Sequence, residues 1–147
     1  MRGFTLLEVV AVLILVGLLT YAAVPKMNYD NQNLYRAVTI LRNHLQYAQM
    51  RSLSYGEQYG VRSVSGNSYV LFRNSTSTTM PFPGGGKPYT LDSNVSISSF
   101  NVSFDSWGTP YNGTNKNSPL ESPMVITITG SGESKTVKIN AATGFVE

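Results

Sequence analysis

Residues 3–9 read Gly-Phe-Thr-Leu-Leu-Glu-Val (GFTLLEV) and place one carboxylate, Glu8, near the start of an otherwise apolar run. From Phe4 to Val24 no other residue is charged, and the run matches the ~20 residues that a bilayer-spanning helix needs. A charge within such a helix costs about 2.5–3.5 kcal/mol at its centre and less near its ends. The reading of this stretch therefore calls for a membrane helix and for a partner that neutralises Glu8.

Arg2 precedes the run, and by the positive-inside bias it sets the N-terminus on the cytoplasmic side and everything after Pro25 outside, although Lys26 at the other end weakens that bias. Pro25 lacks an N–H and crowds the preceding turn, so a helix passing through it should kink; Gly17 loosens the rod further upstream. Beyond Asn28 the composition changes to Ser, Thr, Asn and Gly, with Pro and Gly punctuating short apolar runs, as in a β-rich surface domain. With 147 residues in all, what remains after the apolar run is enough for a single small core.

The formal charge of +3 is mild, and no block of like charges occurs, so charge alone does not imply a nucleic-acid partner. The chain has no cysteine, which removes disulfides, thiolate nucleophiles and thiolate metal ligands together.

From Leu34 onward the pattern is amphipathic. Leu34, Ala37, Val38, Leu41, Leu45 and Ala48 fall on one stripe at about 3.6 residues per turn, and Ser52 continues it. The stripe is expected to pack on a sheet, because no heptad is sustained and the other faces carry few cations. Ile40 and Tyr47 lie off it, either as a subunit contact or as ordinary exposed apolar residues.

The rest reads as short strands. GEQYGVRSV and YVLFR form a hairpin around a Gly-Asn turn, TMPFPGGGKP is a loop, and YTLDSNVSI and NVSFD are strand segments. SWGTPYNGTNKNSP is a second loop, and MVITIT and KTVKIN around GSGES make the clearest hairpin, followed by a short GFVE. The expected class is α+β: a long N-terminal helix, membrane-spanning in its first half and amphipathic in its second, packed on an antiparallel β-sheet head.

GFTLLEV followed by an apolar run, Gly17 and Pro25 resembles the N-terminus of type IV pilins and type II secretion pseudopilins. LQYAQMRSLSYGEQYGV, YVLF, VSFDSWGTP and VKINAATGFVE are similar to the GspH/FimT group of pseudopilins and minor pilins. The resemblance implies a pilin-like fold: residues 1–3 as the prepilin leader, 4–27 as the transmembrane and filament-core helix, and 28–147 as the soluble head.

It further implies cleavage by prepilin peptidase between Gly3 and Phe4, N-methylation of Phe4, and a role for Glu8 in assembly. The partner of Glu8 would be the α-amino group of a Phe4, in its own chain or a neighbouring subunit. Gly17 and Pro25 would let the rod deform. The implied setting is a single-pass protein of the bacterial inner membrane with a periplasmic head, later part of a filament or pseudopilus beside other pilin-type subunits, without cofactor. Arginines near the C-terminus, present in some DNA-uptake members of the group, are missing here, where no cation follows Lys138, so DNA is not the implied partner.

Three other readings compete. Arg2, the apolar run, Ala22 and Ala23 also fit a secretory signal peptide, but a carboxylate inside the apolar region opposes it. An enzyme would need a base beside a nucleophile, and the only histidine, His44, sits mid-helix, where it is expected to flank the stripe and touch solvent. GGGK at 84–87 lacks the first Gly and the Ser or Thr of a phosphate loop, and Ser131 lacks the first Gly of a nucleophile elbow. Arg36, Arg42 and Arg51 scatter around the helix rather than lining a phosphate-binding stripe. Asp105, Asn112, Asn115 and Asn117 offer oxygen ligands for calcium, but with one carboxylate they read better as Asx turns.

Overall fold

The computed structural model describes residues 5–23 and 29–147, with side chains for 5–20 and 32–147. Met1, Arg2, Gly3, Phe4 and Pro25 lie outside the described residues, and with them the expected cleavage site and the expected proline kink. Helix α1 spans Leu6–Ala23 and α2 spans Tyr29–Tyr55. Nine strands follow: β1 (Tyr59–Ser65), β2 (Ser68–Arg73), β3 (Ser75–Met80), β4 (Tyr89–Thr90), β5 (Val95–Ile97), β6 (Asn101–Phe104), β7 (Pro110–Asn112), β8 (Met124–Gly130) and β9 (Glu133–Ile139).

They form two antiparallel sheets. One is ordered β3-β2-β1-β6-β7, with β4 also paired to β2; the other is ordered β5-β8-β9. The C-terminal segment adds to the second, bridging Ile139 to Val146.

The apolar stripe of α2 holds these sheets together. Leu34, Ala37, Leu41, Leu45, Ala48 and Ser52 are all buried, and Val38 is half-buried against them. They meet Val61, Leu71, Val102 and Phe104 from the first sheet and Ile126, Ile128, Val137 and Ile139 from the second, in one continuous core. One helix thus supplies the shared wall of two sheets, covering one apolar face of each, while Val70 and Phe72 of β2 are buried apart from this core.

Ser52 ends the stripe with a polar tie. Its hydroxyl accepts the Tyr59 N–H at 2.9 Å and donates to the Phe104 carbonyl at 2.8 Å, fixing the end of α2 to β1 and β6. A buried hydroxyl satisfied in both roles leaves no desolvated group behind.

Both expected hairpins are present. The first turns at Gly66–Asn67, and the second turns in two residues, Ser131 (φ 53°) and Gly132 (φ 79°), so Gly130, Glu133 and Ser134 extend the strands rather than the turn. Two positive φ values in a two-residue loop are the type I′ geometry that matches strand twist. Two strands were not legible. β3 reads STSTTM, with no apolar alternation, and β7 is a three-residue edge strand that begins on a proline, inside the expected loop. The first loop correspondingly gives up Thr79 and Met80 to β3.

Gly60 lies where β1 is flanked by β2 and β6. A Cβ at this position would overlap the Phe72 ring and the Val102 carbonyl. Gly60→Ala should destabilise the head by about 1–3 kcal/mol, read as a lower denaturation midpoint with an unchanged slope.

Candidate functional site

The most conspicuous surface is α1. Its large apolar residues are 46% (Val10) to 84% (Leu6) exposed, and the charged residue among them, Glu8, is exposed as well. No described side chain of α1, residues 6–20, belongs to the core of the head. A helix that is apolar on all sides has no polar face to leave in water, unlike the amphipathic α2, so it is built to be surrounded. Each such Leu or Val gains about 1.5–3 kcal/mol when removed from water. Among the described residues no helix is long and apolar enough to cross a membrane. The apolar run of the sequence continues past Thr20 to Val24, whose side chains lie outside the described set.

Thr5 starts the helix. Its carbonyl and hydroxyl accept the Glu8 N–H at 3.0 and 3.3 Å, an N-cap with Glu8 at the third helical position. A carboxylate in the first turn also complements the helix dipole, an effect of about 0.3–1 kcal/mol. That is smaller than the cost of burying the charge, so capping alone does not explain Glu8 in a helix meant to be surrounded. Among the described residues Glu8 makes no ion pair. The helix runs unbroken through Gly17.

The structure corrects the expectation for His44. It is 9% exposed, not solvent-flanking. Its ring stacks on Phe82 at 3.9 Å, meets the edge of Tyr89 at 4.9 Å, and its Nδ1 lies 2.9 Å from the Tyr69 hydroxyl. Burial, with Tyr89 as a second contribution, pushes the Tyr69 phenol well above its ordinary value, so it stays protonated and donates to Nδ1. The neutral imidazole then carries its proton on Nε2. This cluster clasps the loop around Phe82 to α2 and contains neither a nucleophile nor a carboxylate, so it offers no catalytic pair.

The other candidates are likewise accounted for. Lys87 of the GGGK stretch donates to the Thr79 carbonyl at 2.7 Å. Arg51 lies over the rings of Tyr47, Tyr55 and Tyr59 at 5.4, 4.6 and 5.5 Å and donates to the Tyr55 hydroxyl. Ile40 and Tyr47 are both half-buried. Asp105 Oδ1 accepts the N–H groups of Trp107 and Thr109, and Oδ2 accepts the Tyr111 hydroxyl. Asn115 closes its own turn onto Asn117 N–H. These are Asx turns, and among the described residues no group of three metal-ligating side chains converges.

At the C-terminal end of α2 three elements meet through Gln49, whose Nε2 donates to the carbonyls of Gly108 at 3.1 Å and Thr143 at 3.0 Å. Gly108 packs beside Leu53, and Gly144, at φ 68°, sits so close to Gly108 that a Cβ would overlap its carbonyl. The exposed Trp107 precedes Gly108 in the chain and the exposed Phe145 follows Gly144. Sequence reading missed this cluster, since its residues are distant along the chain.

No family model matches the sequence, and no curated protein does either. Solved structures are similar in fold. The type IV minor pilin FimU of Pseudomonas aeruginosa (strain PAO1), in space group P21, aligns with a TM-score of 0.59 at 14% identity, over 80% of this chain and 88% of that one. The minor pseudopilin EpsH from the Type 2 Secretion System of Vibrio cholerae aligns with a TM-score of 0.56 at 13% identity, over 78% of this chain and 94% of that one. The chain has the α+β fold of these pilin-type proteins.

Burial lowers the His44 pKa from 6.5 to about 4. The unfolded chain therefore binds the proton more readily, and stability should be full above about pH 6.5 and fall as pH drops toward 4, by roughly 3 kcal/mol at most. His44→Gln should flatten that part of the profile in urea titrations at stepped pH. A second expected outcome concerns the Gln49 tie: Gln49→Ala should cost about 1–3 kcal/mol by leaving two carbonyls without their donor.

Proposed function

We propose that the chain is a minor pilin or minor pseudopilin, a non-enzymatic structural subunit of a type IV pilus or a type II secretion pseudopilus. The observation that carries this reading is an all-round apolar helix, exposed along its described length, joined to a head with the fold of FimU and EpsH. The core of this head takes nothing from the described side chains of α1. The helix must therefore find its apolar surroundings elsewhere, first in lipid and then among other helices of its kind.

In this account prepilin peptidase cuts after Gly3 on the cytoplasmic face, and Phe4 becomes the N-methylated first residue. Residues 4–27 anchor the subunit in the inner membrane with the 28–147 head in the periplasm. On assembly the same helix moves from lipid into the filament core, with Gly17 and Pro25 absorbing changes of shape.

Glu8 pairs there with the α-amino group of Phe4, its own or a neighbour's. Two opposite charges that are each costly in an apolar medium become tolerable together, and removing one leaves the other uncompensated, typically at 3–5 kcal/mol. The pairing thereby sets the register of one subunit on the next.

Glu8→Ala should leave the melting of the head unchanged while the subunit disappears from sheared filaments or from the cross-linked pseudopilus, as followed by immunoblot. Normal incorporation and methylation of that variant would refute the pairing.

A further inference from the structure

Residues 81–88 leave the first sheet and rejoin it almost at one place. Met80 of β3 lies opposite Leu71 and Tyr89 of β4 lies opposite Tyr69, on one edge of β2, while β1 occupies the other edge. Two residues of strand separate those points, a gap of about 7 Å. The loop between them reaches roughly 26–29 Å when extended, so it carries far more chain than the gap requires. Compact loops whose ends lie this close are packed by their own side chains.

Here one side chain supplies that packing. Pro81, Pro83, Gly84, Gly86, Lys87 and Pro88 are exposed, whereas Phe82 is 3% exposed. Its ring stacks on His44 and stands edge-on to Tyr69 at 5.5 Å and to Tyr89 at 6.4 Å. The hydrogen bonds of the loop are local, from the Gly85 N–H to the Phe82 carbonyl and from Lys87 to the Thr79 carbonyl. Gly84, at φ 70°, begins a run of three glycines, so the backbone here swings at little steric cost.

We propose that residues 81–88 are a strap that opens as a unit while the head stays folded, with Phe82 as its latch and a charge on His44 as the event that releases it. In the closed strap the neutral imidazole accepts the Tyr69 hydroxyl and lies flat against Phe82. A proton on Nδ1 removes that acceptor. The groups that face the ring are the Tyr69 phenol from β2, the Tyr89 phenol from β4 and the Phe82 ring from the strap. On α2 the neighbours one turn away are Ile40, Leu41, Tyr47 and Ala48. None of these is a carboxylate that would balance an imidazolium. The strap's own cation, Lys87, is turned to Thr79, and Arg36 and Asp92 line a small cleft beside Tyr89. Burial, rather than any of these charges, is what opposes a proton on His44. Moving Phe82 aside uncovers one face of the imidazole to water, which solvates the charge. That movement displaces one buried ring, whereas unfolding the head displaces the whole core, so the strap opens first as pH falls.

The test is hydroxyl-radical footprinting of the full chain at pH 7 and pH 4, read residue by residue by mass spectrometry and normalised to the exposed Phe145. Phe82 reports the strap, and Phe72 and Phe104, both fully buried, report unfolding of the head. With the His44 pKa at 6.5 when open and about 4 when closed, the open share should rise about a hundredfold between the two pH values. Strong labelling of Phe82 at pH 4, with Phe72 and Phe104 still protected, is the expected result. His44→Phe keeps a ring against Phe82 without a charge and should abolish the rise; His44→Gln makes the same test with a smaller side chain. A Phe82 that stays protected at pH 4, or that is labelled only together with Phe104, overturns the strap. A rise that persists in both variants overturns the role given to His44.

Discussion

Leu34, Leu41, Leu45 and Ala48 present one stripe of α2 to two sheets at once, and the head exists because that stripe is buried. Among the described residues no strand of one sheet pairs with a strand of the other, and the Ile97 N–H of β5 donates to the Gly66 carbonyl in the β1–β2 turn at 2.7 Å. Each has an apolar face that water would oppose, and the helix removes both faces from solvent with a single row of side chains. The Ser52 hydroxyl then locks the end of the row to β1 and β6, so the helix, the first strand and the sixth strand are placed relative to one another by a bond as well as by packing.

The same principle, applied to α1, has the opposite outcome. Its residues are as apolar as the α2 stripe, but they surround the helix completely, and the described ones pack against nothing in the core of the head. A chain that satisfies one helix internally and leaves another unsatisfied carries its own requirement for partners. Glu8 sharpens that requirement from general to specific. Apolar surface can be buried against any hydrocarbon, whereas a carboxylate accepts only a positive charge or hydrogen-bond donors placed where it sits.

How much of this could be read from residues alone depends on the range of the interaction. The α2 stripe was legible because its period is local, and all its members from Leu34 to Ser52 fell where expected. The two hairpins were legible because their turns lie beside their strands. His44 was not: the aromatic rings that bury it come from Tyr69, Phe82 and Tyr89, and no local pattern joins them to α2. The same holds for the Gln49 tie, which joins α2 to Gly108 and Thr143, residues far from it along the chain. β3 and β7 escaped notice because edge strands bury little and so need no apolar alternation. The apolar run and its carboxylate were plain in the sequence from the outset, although the residues on either side of the expected cleavage, Gly3 and Phe4, lie outside the described structure.

The Gln49 tie, the clasp around His44 and the Asx turns all concern the shape of the head, and each is compatible with more than one use of it. The exposed α1 is not so permissive, since in the proposed account its burial and the pairing of Glu8 would both depend on how the chain begins after processing. The mass of the N-terminal peptide, taken from protein isolated from its native membranes, tests this directly. A chain starting at Phe4 with one added methyl group is the predicted result. A chain starting near Ala23 would contradict the account, because α1 would then be a discarded signal and Glu8 would have no partner to find.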